Sequence, residues 1–255
     1  MSAPKAFILH LERAIARNAN VEALREALPV ESEVLGAVDG ARLTRQEIDQ
    51  ATARRRFSPR YPFALTEAEI GAFLSHRAAW RRIVEDDLDF AFVFEDDARI
   101  DPEAFNALAH FAAAERENWD YVLLPAGGLA PKGQTVARRG ELALLRPHAP
   151  PLRAIGQIVS RAAAERLLAR TLPFDRPVDT FLQMTWVTGQ PILVASPSPV
   201  SDVSRESGGT TIQRKSMRLI ERLHHETMRP IYRAQVLARY RRYMALASRP
   251  AAAPR

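Results

Sequence analysis

Cysteine is missing from the 255 residues of this chain, which excludes disulfides, thiolate metal sites and a cysteine nucleophile. Any bound metal must therefore be held by oxygen or imidazole. Long apolar runs are missing too, and nothing approaches the roughly 20 apolar residues of a membrane-spanning helix. Met1 to Leu11 carries one Lys and an apolar run too short for a secretory signal. A cytoplasmic protein is the expectation. The loop Pro125 to Gly133 contains Gly127-Gly128 but not the spacing of a phosphate-binding fingerprint. No internal repeat is visible, and no nucleic-acid recognition motif accompanies the basic residues, so nucleic acid is not an expected partner.

What is present can bury a substantial core: 47% of the residues are hydrophobic and 26% charged, consistent with one large domain or one domain with an appendage. The net charge of +6 is uneven. Residues 213–255 hold eleven Arg or Lys against two Glu, so all the excess positive charge lies there. Met217, Leu219, Ile220, Leu223, Ile231, Tyr232, Val236, Leu237, Tyr240, Tyr243 and Met244 recur at helical spacing among those arginines. The pattern predicts one or two basic amphipathic helices broken near Pro230. Such helices either lie on an anionic membrane surface or pack on the domain with a solvated arginine face. Ser248 to Arg255 is Ala/Pro-rich and reads as disordered. The expected division is a catalytic domain over 1–212 and a basic tail over 213–255.

The most informative segment is Phe90-Ala-Phe-Val-Phe-Glu95-Asp96-Asp97, an apolar run ending in three carboxylates. Apolar residues on both faces suit a strand buried in a parallel sheet, and ligands of open α/β sheets collect beyond the carboxyl ends of such strands. Alternation along an extended chain directs Glu95 and Asp97 to one side and Asp96 to the other. Two carboxylates on one side make a hard oxygen site for Mg²⁺ or Mn²⁺, whose other ligands come from water and a substrate diphosphate. An isolated acidic triplet is more often a solvated turn after a strand, and only the neighbours can overturn that reading.

Those neighbours alternate between strand and helix. Strands are predicted at Ala6–Leu11, Val34–Val38, Asp120–Leu124 and Ala154–Val159, with a hairpin over Thr135–Leu145 turning at Arg139-Gly140. Helices are predicted at Ala14–Leu28, where Ile15, Leu24 and Leu28 are candidate buried positions, and at Thr44–Ala53, Glu103–Ala114 and Arg161–Arg170. Thr66 and Glu69 form a capping box that starts a helix leading into the acid-tipped strand. Another helix begins at Pro177-Val178-Asp179. The alternation indicates βαβ units and an α/β fold with a mostly parallel central sheet.

Several of these segments together resemble glycosyltransferase family 25. Glu69-Ile-Gly-Ala-Phe-Leu-Ser75-His76-Arg-Ala-Ala-Trp80 is similar to the family's helix bearing Ser-His and a following Trp, at a matching distance from Glu95-Asp96-Asp97. Gln157-Ile-Val-Ser-Arg161 with Ala164 and Leu167-Leu168, then Pro177-Val178-Asp179, resemble its later blocks, and Ile8–Arg17 and Ala37–Gly40 its opening ones. The likeness covers residues 5 to about 212. Gln157 stands where the family usually has Tyr, and Ala98 where a larger aliphatic residue is usual.

The resemblance implies a GT-A type nucleotide-diphospho-sugar transferase fold, a UDP-linked donor, a glycan or glycolipid acceptor such as lipopolysaccharide, and inversion at the anomeric carbon. Glu95 and Asp97 would hold Mn²⁺ or Mg²⁺. Asp96 would contact the donor or orient the site from behind. Asp179 is the candidate base, with a helix-capping acid as its alternative. His76 would position diphosphate or acceptor, or join the metal, against the alternative of a buried packing histidine. Ser75, Gln157 and Ser207 are further donor-side candidates, as is Arg13, which with Arg17 could reach phosphates from the first turn. Pro197–Ile212 is the candidate lid. The competing function is a catalytically silent glycosyltransferase-like protein that binds nucleotide or membrane.

Overall fold

The computed structural model describes residues 3–127, 131–206 and 219–247. β1 (Lys5–His10) leads through a 3-10 turn at Ile15–Arg17 into α1 (Asn18–Ala27), and β2 (Ser32–Gly36) follows. α2 (Arg45–Ala51) and α3 (Glu67–Glu85) precede β3 (Phe90–Glu95). Next come β4 (Ala98–Ile100), α4 (Pro102–Ala114), β5 (Tyr121–Leu123) and the hairpin of β6 (Gly133–Arg139) and β7 (Leu142–Pro147). β8 (Gly156–Ser160), α5 (Arg161–Arg170), the short α6 (Val178–Leu182) and α7 (Thr185–Thr188), β9 (Leu193–Ser196), β10 (Val200–Asp202) and α8 (Leu219–Ala247) complete the order.

Eight strands form one sheet in the order β2-β1-β3-β8-β5-β9-β7-β6, and β4 and β10 form a separate two-stranded ribbon. β1 pairs in parallel with both β2 and β3, and β5 with β9. β8 runs antiparallel between β3 and β5, and β7 antiparallel beside β9. Most strands therefore share one direction, and the mixed α/β plan expected from the alternation is present. β8 is the exception in the middle of the sheet. It brings its own first residues, rather than its last, to the edge where β1 and β3 end.

Side-chain alternation divides the core. Phe90, Phe92 and Phe94 pack with Val21, Leu24, Phe105 and Leu108 from α1 and α4. Ala91 and Val93 face the other way, among Phe73, Trp80, Ile83, Ala163 and Leu167 from α3 and α5. Parity thus directs Glu95, next in line after Val93, toward α3. The Thr66–Glu69 capping box forms as expected, with Glu69 N–H donating to Thr66 Oγ1 and Thr66 N–H to Glu69 Oε2.

Three expectations are corrected. The first helix begins at Asn18, not Ala14, because the chain makes a 3-10 turn first, which leaves Ile15 73% exposed. Pro230 does not break the tail: α8 runs through it as one helix. Tyr232, Val236 and Tyr240, spaced four residues apart, are buried against the domain, whereas Ile231 is exposed. Ser201 and Asp202 lie in β10, paired with β4, rather than in a loose loop. Ser207 and the rest of that candidate lid to Ile212, like Ser248–Arg255, fall outside the described residues.

Candidate active site

The ends of β1 and β3, the segment 152–155 just before β8 and the helices α3, α6 and α8 surround a cavity of about 540 Å³. Glu95, Asp96 and Asp97 all border it. The alternation expected of the triplet holds only for its first two members, because β3 stops at Glu95 and the chain turns. Asp97 consequently shares a cation with Asp96: Arg17 donates from Nη1 to Asp96 Oδ1 and lies 3.1 Å through Nη2 from Asp97 Oδ2. His10 Nδ1 donates to Asp96 Oδ2 at 2.9 Å, and Asn20 Nδ2 donates to the backbone carbonyls of Asp96 and Ala98, each at 2.9 Å. Asp96 is thereby consumed by the turn. Of its two proposed roles, orienting the site fits and direct donor contact does not. Arg17, which could have reached phosphates from the first turn, is 5% exposed and held by these acids.

Asp97 differs from its neighbour. Val203 N–H donates to its backbone carbonyl at 2.9 Å, which fixes the backbone through β10. Oδ1 is buried and has no hydrogen-bond partner. Burial, and then the nearby Glu95 carboxylate, push its pKa up to about 6 despite the attraction of Arg17. A buried carboxylate oxygen without a donor is costly unless something positive occupies it. Among the described residues no group of three or more His, Asp or Glu is placed so that it could hold a metal ion by itself. The residues fit a divalent ion with two protein carboxylates, Glu95 and Asp97, and outside ligands for the rest.

His76 is held from both sides. It is 1% exposed; Nε2 lies 3.1 Å from Glu95 Oε1, and Nδ1 lies 3.1 Å from Gln157 Nε2. Gln157 Nε2 also donates to the Ala154 carbonyl at 2.6 Å, and Tyr121 donates its hydroxyl to Gln157 Oε1. With the amide so oriented, His76 Nδ1 accepts and Nε2–H donates to Glu95. This chain corrects two expectations. His76 has no free nitrogen for a metal, so it positions Glu95. Gln157 is fully buried behind His76 and does not border the cavity, so it is not a donor contact.

Ser75 is likewise structural: Oγ donates to the Gly71 carbonyl and accepts Val38 N–H, both at 2.8 Å. That tie is possible because Gly71 lets α3 touch the loop after β2; a Cβ there would lie 2.5 Å from the Val38 carbonyl. Arg13 reaches the rim but is engaged by Asp39, at 2.8 and 3.2 Å. Asp179 borders the cavity from the first turn of α6, and its Oδ1 accepts the Thr180 N–H at 2.6 Å and the Thr180 hydroxyl at 3.2 Å. Oδ1 is thus engaged by the adjacent Thr180, α6 has Pro177 and no side-chain cap at its start, and Oδ2 is left without a hydrogen bond among the described residues.

Sequence reasoning missed a wall of this cavity. Tyr61, Phe63, Arg229, Tyr232 and Arg233 line it, the last three from α8. Tyr61 meets Phe63 and Tyr232 edge-on at 5.4 and 5.5 Å, and Tyr232 accepts a 2.7 Å bond from the buried Arg176. Helical periodicity signalled a packed face around Tyr232 but not what it would face. Trp80 is core, with no exposure.

A model of glycosyltransferase family 25 (LPS biosynthesis protein) matches residues 3–127. A glycosyltransferase 25 family member of Drosophila pseudoobscura pseudoobscura is 31% identical over 183 residues, 69% of this chain and 29% of that protein. The procollagen galactosyltransferase 1-A of Xenopus laevis is 26% identical over 130 residues, 49% of this chain and 21% of that one. An inactive glycosyltransferase 25 family member 3 of Homo sapiens is 28% identical over 137 residues, 51% and 23% of the two chains. The chain spans no more than about a third of the length of these curated relatives.

Proposed function

Because this chain belongs to glycosyltransferase family 25, we propose that it is a metal-dependent, inverting sugar transferase using a nucleotide-diphosphate sugar. The observation that carries the reading is the unpartnered, buried Asp97 Oδ1 beside Glu95 at the strand ends of the cavity. Glu95 and Asp97 would hold Mn²⁺ or Mg²⁺, which when bound neutralises charge growing on a departing diphosphate. Arg17, His10 and Asn20 keep the acidic turn rigid, and His76 aims Glu95. Asp179 Oδ2 takes the proton from the acceptor hydroxyl. The acceptor's hydroxyl oxygen then attacks the anomeric carbon from the side opposite the diphosphate, whose bond to the sugar breaks, and the configuration inverts.

A galactosyl donor is the preferred guess, supported by the name of the Xenopus relative. A cell-envelope glycan such as lipopolysaccharide is the preferred acceptor, supported by the description of the matching family. Among the described residues no helix is long and apolar enough to cross a membrane. We place the protein in the cytoplasm, at the membrane face where such glycans are built; exposed Arg241 and Arg242 on α8 suit an anionic surface.

The test is a panel of UDP- and other nucleotide-linked sugars with Mn²⁺, read as nucleotide release with and without candidate acceptors. Release that requires Mn²⁺ and is lost in Asp179→Asn supports the transferase. Donor binding without release from any member would favour the silent alternative, to which the inactive human relative belongs by name.

A further inference from the structure

Every arginine that borders the cavity from the catalytic sheet is already neutralised. Arg13 is paired with Asp39, Arg17 with Asp96 and Asp97, and Arg153 with Asp202 at 2.6 Å. The two arginines contributed by α8 are different. Arg229 and Arg233 border the same cavity, are exposed, and form no ion pair with any Asp or Glu among the described residues. Arg229 lies over the Phe63 ring at 6.0 Å, which holds its guanidinium at the wall by a cation–π contact. One helical turn separates the two residues, so both present to one patch. Tyr61 and Tyr232 floor that patch with aromatic surface, and Asp179 borders the same cavity.

We propose that Arg229 and Arg233, with the Tyr61–Phe63–Tyr232 wall, form an acceptor subsite for a sugar carrying an anionic group, a phosphate or a carboxylate. The assignment rests on the transferase reading in one respect: the hydroxyl to be glycosylated must lie against Asp179, so the aromatic and basic wall next to Asp179 faces the acceptor rather than the donor. Aromatic faces stack on the apolar side of a pyranose, and paired guanidinia recognise phosphate or carboxylate through charge-assisted, bidentate hydrogen bonds. A neutral glycan would leave two cations at the rim with nothing to bind. α8 would then be a component of the acceptor site as well as a packing element.

Calorimetric titration of the full chain with glucose, glucose 6-phosphate, glucuronate and, in Mn²⁺, UDP tests this. The expected result is glucose 6-phosphate or glucuronate binding roughly tenfold or more tighter than glucose, a preference that weakens as salt is raised. Arg229→Gln combined with Arg233→Gln should remove the preference and leave UDP affinity unchanged, while the paired Lys variant retains most of it. Equal binding of charged and neutral sugars, or a preference that survives the double Gln change, would overturn the subsite. So would a loss of UDP affinity in that variant with anionic-sugar binding intact, since the arginines would then serve the donor. A chain that prefers the anionic sugars but binds neither UDP nor any other nucleoside diphosphate would keep the anionic-sugar subsite and remove the transferase reading.

Discussion

Asp97 takes up a proton at about 6 in the folded protein and near 3.8 when unfolded. Between those values the folded state holds the additional proton, so this residue's contribution to stability falls as pH rises through the window, and the full penalty is present above about 6. Asp97→Asn cannot ionise. Without metal it should melt at a higher temperature than the parent at pH 7, with the advantage shrinking toward pH 4; an unchanged gap across that range would remove the proposed burial cost. Added Mn²⁺ should raise the melting temperature of the parent at pH 7 and leave that of Asp97→Asn unmoved, because only the parent regains a partner for Oδ1. A second residue-scale prediction concerns Gln157. Replacing it with Leu strips the Tyr121 hydroxyl and His76 Nδ1 of their partners at once. Denaturant unfolding should show a loss of about 1–3 kcal/mol, and nucleotide release should fall by roughly tenfold if aim of Glu95 matters as argued. The Gln identity is visible in sequence, but its service to His76 is not, since the two residues are 81 positions apart.

At the scale of elements, α3 and α8 do the positioning. Gly71→Ala would set a methyl 2.5 Å from the Val38 carbonyl, so α3 or the loop after β2 must move. Overpacking of this kind costs about 1–3 kcal/mol, and here it should also shift Ser75 and His76, so that nucleotide release falls along with the melting temperature. α8 was legible as an amphipathic helix, and its boundaries within the described residues include Pro230. Its partner was not legible, because periodicity identifies a face to be covered without identifying the cover. Tyr232 packs on Tyr61 and receives a hydrogen bond from Arg176. Truncation to Ala should therefore cost about 3–5 kcal/mol in urea unfolding, as for other large buried aromatic residues. Helix starts were readable where a chemical signal existed. The capping box at Thr66 is present and the helix expected from Glu103 starts at Pro102 behind an Asp101 cap, whereas Ala14 carried no such signal and the helix there begins four residues later.

For the whole molecule, the amino-acid order by itself determined the strand and helix alternation, the burial of β3 on both faces and the arrival of three acids where that strand ends. Those follow from local rules: a period of two in strands, a period near four in helices, and hydrogen-bonding side chains at helix starts. The tertiary structure decided which acid is free. Asp96 is taken by Arg17, His10 and a backbone amide, while Asp97 keeps one oxygen unpartnered. It also decided that β8 runs against its neighbours, which sets Gln157 behind His76, and that α8 closes the cavity with two arginines. Such outcomes depend on contacts between residues tens to hundreds of positions apart, and a hydrogen bond or ion pair across that distance leaves no periodic trace in the chain that makes it.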